Sequence, residues 1–253
     1  MRVWVWLCGA DGSRFFPVNS TLSIDMSNSW TTSDVVLRII ERPWSAKANQ
    51  AIWTDQKAGN FYVWGGKWIR SVNMTKNELW KFTPDGYGAG TWATEAPANP
   101  DLFNNLHQGE NGAFVNSNDT GFFIGGLATG WTEYGRGRTQ ALPGMVAFNM
   151  NTKTWQNGTT SFSPFDTLAG GSAVHAPNLG SNGLIVVLGG IAHAVVGEPD
   201  WVNAPAFDFH NLTFFDPQTK RRYWQLATGN IPPSPRVFAC SAGVQNPDGG
   251  YEM

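Results

Sequence analysis

The sequence predicts an all-β protein made of repeated four-stranded antiparallel units, the blades of a β-propeller, and three observations lead there. A glycine pair closes an aromatic or β-branched run three times, in "FYVWGG", "GFFIGG" and "LIVVLGG", with the second glycines at 66, 126 and 190. Self-similarity at intervals of 60 and 64 residues marks a repeat architecture. Downstream of each pair an aromatic-ended run, a polar turn and a tryptophan recur, reaching Trp92, Trp155 and Trp224; a fourth copy, "LSIDMSNSW", reaches Trp30. Finally, short apolar or alternating runs bounded by Gly, Pro, Asn and Asp fill the chain, which is the strand signature. Helix-period patterns are hard to find.

Composition supports the same class. The 253 residues include 29 Gly, 15 Pro and 13 Trp, and only 14% are charged, against roughly a quarter in ordinary globular proteins. The net charge of −2 and the absence of a basic stripe argue against a nucleic-acid partner. Cys8 and Cys240 stand at opposite ends without metal-like spacing. No stretch approaches the ~18 apolar residues of a membrane helix.

Taken in order, residues 1–16 contain a short apolar stretch, "VWVWL", that superficially resembles a signal peptide. It lacks a convincing small-residue cleavage site and is β-branched and aromatic, so a strand is expected rather than a working signal. As a whole the segment does not match the first half of a blade and is expected to be irregular. From 17 to 253 the chain reads as propeller. A half-blade at 17–41 supplies third and fourth strands around 20–26 and 33–40, the latter in "DVVLRIIERP". Complete blades follow at about 48–97, 106–160 and 170–228. In the last of these the four strands are "GGSAVHAP" (170–177), "LIVVLGG" (184–190), "LTFFD" (212–216) and "YWQLAT" (223–228). A second half-blade at 236–253 begins with "VFACSAGV" (237–244). Three full blades and two halves predict an open arc with apolar faces at both ends.

The recurring residues have physical roles in this scheme. Gly65–Gly66, Gly125–Gly126 and Gly189–Gly190 end second strands where chains crowd near the centre, letting backbone and a blade tryptophan approach closely. Trp92, Trp155 and Trp224, with Trp30 as a fourth copy in the repeat, are expected at one structural position, the first three buried between neighbouring blades. Asp25, Thr83, Asn149 and Asp216 follow the aromatic strand ends, where a short oxygen-bearing side chain accepts backbone N–H groups and closes the turn.

These diglycines, strand ends and tryptophans, with "PPSPRVFACSAGV" as a Pro-x-x-Arg lead-in, resemble the kelch repeats and the related galactose oxidase-like propellers, most of all the large kelch-repeat proteins of fungi. The resemblance covers about 17–253 and implies a piece of a six- or seven-bladed protein. A galactose oxidase-like enzyme implies two tyrosines, two histidines and a cysteine cross-linked to one tyrosine. Here His107, His175, His193 and His210 stand alone and neither cysteine lies in a matching motif. "GGSAV" lacks the flanking glycine of a nucleophile elbow. "NSNDTG" (116–121) has Leu127 where a calcium loop needs a bidentate Glu, and reads as a hairpin turn. No catalytic constellation, cofactor or metal site is expected.

What remains is the loops after the diglycines, 67–76, 127–143 and 191–210. Each joins a second to a third strand, so all three project from one face. Loops of that length are usually functional or disordered. Their aromatic and charged content is that of interface hot spots: Trp68 and Arg70 in the first, Trp131, Glu133, Tyr134, Arg136 and Arg138 in the second, His193, Glu198, Asp200 and Trp201 in the third. The reading is a non-catalytic module binding a protein through this face. Alternatives are a secreted or cell-surface glycan-binding or galactose oxidase-like module, a truncated fragment without function of its own, and Trp68, Trp131 and Trp201 folding back as a lid. Five N-glycosylation sequons, at Asn19, Asn73, Asn118, Asn157 and Asn211, lean toward the secretory pathway or cell surface.

Overall fold

The computed structural model describes residues 4–7, 19–69, 77–160, 165–181, 183–195, 197–200, 202–247 and 249–253. Its first sheet has three antiparallel strands in chain order, Trp4–Leu7 (β1), Ser20–Asp25 (β2) and Leu37–Glu41 (β3). After the short strand Lys47–Ala48 (β4) come Ala51–Asp55 (β5) and Asn60–Trp64 (β6). Lys67–Trp68 (β7) then pairs back on β4, before Trp80–Pro84 (β8) and Gly90–Thr94 (β9). A one-turn helix, Pro100–Asn104 (α1), leads into Ala113–Asn116 (β10) and Thr120–Ile124 (β11). Leu127–Ala128 (β12) pairs with Gln140–Ala141 (β13), and Met145–Asn149 (β14) and Trp155–Gly158 (β15) complete that unit. Ser172–Ala176 (β16), Leu184–Leu188 (β17), Asn211–Asp216 (β18) and Arg221–Leu226 (β19) form the next, and Val244–Gln245 (β20) pairs with Tyr251–Glu252 (β21).

Three four-stranded sheets result, β5-β6-β8-β9, β10-β11-β14-β15 and β16-β17-β18-β19, every neighbour antiparallel. Their first strands adjoin in sequence order, β5 with β10 and β10 with β16. The second strands explain the sequence pattern. On β6, Tyr62 and Trp64 join Trp53, Phe123, Phe148 and Trp155 in a core between the first and second four-stranded sheets. Phe61 and Val63 face the other way, into a cluster with Phe82, Trp92 and Ile40 of β3. A strand buried on both faces reads as a continuous apolar run rather than an alternating one. On β11, Phe122 and Ile124 pack with Leu168, Ile185, Val187 and Phe215 toward the third sheet.

The glycine pairs are joints between sheets. The N–H of Gly66 donates to Gly109 O (2.9 Å), Gly126 to Leu168 O (2.6 Å) and Gly190 to Arg236 O (2.8 Å), each acceptor in the lead-in to the next repeat. All six glycines have positive φ, between 61° and 94°. A Cβ on Gly125 or Gly189 would run into the carbonyl oxygen of Leu168 or Arg236. Backbone of the next repeat crowds the first glycine of each pair, side chains of Gln50, Phe123 and Leu168 help to crowd the second, and no tryptophan is among the nearest atoms.

Several expectations are corrected. Trp4–Leu7 is a strand pairing with β2, from Trp4 opposite Asp25 to Leu7 opposite Leu22, so the leader is not irregular throughout; residues 1–3 and 8–18 lie outside the described residues. Among the described residues of 237–244 only Val244 is in a strand. Helix α1, begun by Pro100 at its first turn, was not expected.

The tryptophan positions divide. Trp92 stands opposite Phe82 and Trp155 opposite Phe148, so these two are equivalent. In the third sheet Arg222 holds that place, opposite Phe215, and Trp224 lies two residues on, opposite Thr213. Trp155 is 1% exposed while Trp224 overruns the contact and is 64% exposed. Trp30 lies in the loop between β2 and β3 and is exposed.

The turns fare better. Asp25 accepts from Ser27 N, Asn149 from Asn151 N and Thr152 N, and Asp216 from Gln218 N and Thr219 N. At the first full unit Asp85 does this, accepting from Tyr87 N and Ala89 N, in place of Thr83, because the hairpin there is longer.

Candidate functional site: the loop face

The three second-to-third-strand connections leave the sheets at the glycine pairs, on the opposite end from the hairpins that join first to second strands. Directly after each pair the chain bonds back to its own lead-in: Lys67 pairs with Ala48, Leu127 with Glu110 and Ile191 with Ala169. The first and second loops are then tied together, Trp68 N donating to Trp131 O at 2.9 Å.

The second loop is locked from within. Thr132 Oγ1 accepts from Thr129 N (2.9 Å) and donates to Thr129 O (3.1 Å), while Thr129 Oγ1 accepts from Trp131 N (3.1 Å). Both threonines are buried. Beyond the turn, the Glu133 carboxylate accepts from Arg136 Nε (2.8 Å), Arg136 Nη2 (2.7 Å) and Gln108 N (2.9 Å). Arg136 Nη1 donates to Gln140 Oε1 at 2.7 Å, and His107 Nδ1 lies 2.9 Å from both Glu133 Oε1 and Arg136 Nη2. Two guanidinium nitrogens converge on the one oxygen Oε2, leaving Oε1 to Gln108 N and His107, and such charge-assisted bonds fix geometry as well as charge. The result holds Trp131 at 51% and Tyr134 at 89% exposure on a braced turn.

Trp68, bonded through its backbone to Trp131, is 2% exposed, with Lys47 Nζ 4.1 Å from its ring centroid. Burial holds the Lys47 ammonium down to about 8, with Glu78 opposing; desolvation penalises the charged form. Lys47 also reaches Gln108 Oε1 at 3.5 Å. Nearby, the buried Glu110 carboxylate pairs with Lys67 Nζ at 3.0 Å and accepts from Thr129 Oγ1 at 3.4 Å.

The structure thus gathers Trp131, Glu133, Tyr134 and Arg136 and separates the other candidates. Trp68 is corrected from presenting residue to buried residue: it is 2% exposed, its backbone N–H bonds to Trp131 O, and Lys47 Nζ lies over its ring. His193, only 2% exposed, is likewise not on the surface: its backbone exchanges hydrogen bonds with Thr167 Oγ1. Burial pushes its imidazole below the ordinary value, Asp200 acting the other way. Arg138, Glu198 and Asp200 are exposed. The Asp200 carboxylate accepts from the backbone and side chain of Asn203 and from Val202 N, which hold it below the usual range. Arg70 and Trp201 lie outside the described residues. Of the sequons, Asn19, Asn118, Asn157 and Asn211 are exposed, and Asn73 lies outside the described residues.

Sequence reasoning missed Lys47, His107, Gln108 and Glu110. They precede the first strands, in "AKANQ" and "HQGEN", and were detectable only as polar residues at matching distances before β5 and β10. Chemically the cluster offers recognition. The Glu133 carboxylate is engaged by the Arg136 guanidinium, the Gln108 N–H and the His107 ring, and its aromatic and imidazole neighbours offer stacking surface and hydrogen bonds. Among the described residues no group of three His, Cys, Asp or Glu is placed to hold a metal ion, and no helix is long and apolar enough to cross a membrane.

No family model matches this chain, and a search of curated proteins finds no match.

Proposed function

We propose that the chain is a kelch-type arc of propeller blades that binds a protein partner through its loop face, without catalysis. One observation carries the reading. Trp131 and Tyr134 stand largely exposed on a turn braced by Glu133, Arg136 and His107. Exposed aromatics have no reason to be held so rigidly for stability alone. Pre-organised, they lose little entropy on docking, and aromatic anchors with arginine dominate interface energies. Arg138 stands exposed at the edge of the same turn.

The test is affinity capture with the intact chain, followed by titration of the recovered partner. Trp131→Ala and Tyr134→Ala should each weaken binding by about 1–3 kcal/mol, with unchanged thermal unfolding. Trp224→Ala, exposed elsewhere, serves as the control. Equal affinity for wild type and both loop variants would dismiss the proposal.

A further inference from the structure

A second concavity lies away from the loop face. It is a groove of about 560 Å³ bounded by the first strands β5, β10 and β16, the hairpin turns that follow them, and the segment around β20 and β21. Its volume falls within the range of small-molecule sites.

Its chemistry is unusual for an open surface. None of the residues lining it is Asp, Glu, Lys or Arg. The one imidazole, His175, is pushed below its ordinary value by burial, which disfavours its charged form. Anionic and cationic ligands would find no counter-charge there.

The floor is fixed by side chains crossing between units. Asn116 Nδ2 donates to Thr54 O at 3.1 Å, and Tyr251 OH donates to His175 O at 2.7 Å. Against this floor four groups stay uncommitted. Gln56, Asn118, Ser241 and Gln245 line the groove, and none has a hydrogen bond from its side chain to another described residue. Amides and hydroxyls each supply a donor and an acceptor, which matches a ligand whose own groups do both. Phe114, 41% exposed, adds an apolar ring to the same wall.

We propose that this groove binds an uncharged, hydroxyl-rich ligand, a mono- or disaccharide unit of neutral sugar, held by Gln56, Asn118, Ser241 and Gln245 and stacked on Phe114. The site is independent of the loop face, so either can fail without the other.

Saturation-transfer NMR and calorimetry on the intact chain decide it, using neutral mono- and disaccharides beside matched sugar phosphates and uronic acids. Neutral sugars should bind and their charged counterparts should not. Phe114→Ala and Gln245→Ala should each weaken binding by about tenfold, the loss of one good contact, while Trp131→Ala leaves it unchanged. Should Phe114→Ala fail to fold, the exposed pair Gln56→Ala and Gln245→Ala carries the test. The proposal is overturned if no neutral sugar binds, if charged analogues bind as well, or if the groove variants bind like wild type. Comparing free disaccharide with a glycoprotein bearing the same terminal unit tells a free sugar from a glycan end.

Discussion

The N–H of Gly126 donates to the carbonyl oxygen of Leu168 at 2.6 Å, joining the end of one sheet's second strand to the lead-in of the next sheet. Gly66 with Gly109 and Gly190 with Arg236 repeat the arrangement. Each joint needs a backbone at positive φ and room for a carbonyl where a side chain would stand, and only glycine supplies both.

Glycines in the joint should therefore be intolerant where equally left-handed surface glycines are not. Gly125→Ala meets both strain and the Leu168 backbone, and is expected to cost roughly 3 kcal/mol or more. Gly135 also has positive φ but open space around it, so Gly135→Ala should cost only about 1 kcal/mol. Urea denaturation of the two variants measures the contrast, and equal costs would show that the joint does not carry the fold.

Tryptophans that look equivalent in sequence should differ sharply. Trp155 is enclosed by Trp53, Trp64, Phe103 and Phe148, so Trp155→Ala should cost roughly 3–5 kcal/mol. Trp224→Ala should fall within about 0.5 kcal/mol of wild type. Thermal unfolding of both variants gives the answer; a large loss at Trp224 would mean that its face is covered.

The reason sequence could not separate these two lies in register. The period made the sheets and their order legible, because diglycines and Asx turns are demanded locally by backbone geometry. The two hairpins are equally long, Phe148 pairing with Trp155 and Phe215 with Arg222, so Trp224 falls one pleat further because two more residues precede it within its strand. "NMNTKTW" and "DPQTKRRYW" look alike in type yet differ by two residues. Site residues were legible in part. Trp131 and Tyr134 stood out as aromatics in a long loop. The bracing of that loop by His107 and Gln108, some 25 residues upstream, depends on tertiary contact and left no local mark.

Stability should peak at about pH 10, where the Lys47 and Tyr62 windows meet. Burial holds Lys47 at about 8 against an ordinary 10.5. Between those values the unfolded chain binds more protons, so stability rises with pH. Tyr62 is pushed up to about 12 from 10.0, by burial first and then Glu95. Its contribution is complete below pH 10 and is lost as pH climbs toward 12. Denaturation midpoints across pH 7–12 should rise and then fall. Lys47→Met should remove the rise and Tyr62→Phe the fall; a profile unchanged by either variant would contradict the assignment.

Arg136 and Trp131 should separate structure from recognition. Arg136→Ala strips Glu133 of its two charge-assisted bonds and Gln140 of one. It should loosen the loop, seen as faster amide exchange at Gln108 and Glu133. Trp131→Ala should leave those exchange rates as they are. If Arg136→Ala does not speed exchange, the pair is not what braces the turn.

The most direct test of the repeated joint is an NMR measurement on the glycine amides. The account predicts through-space contacts from Gly66 to Gly109, from Gly126 to Leu168 and from Gly190 to Arg236, with all three amides exchanging slowly. Contacts confined to each glycine's own unit, with amides exchanging as fast as that of the unhindered Gly135, would contradict it.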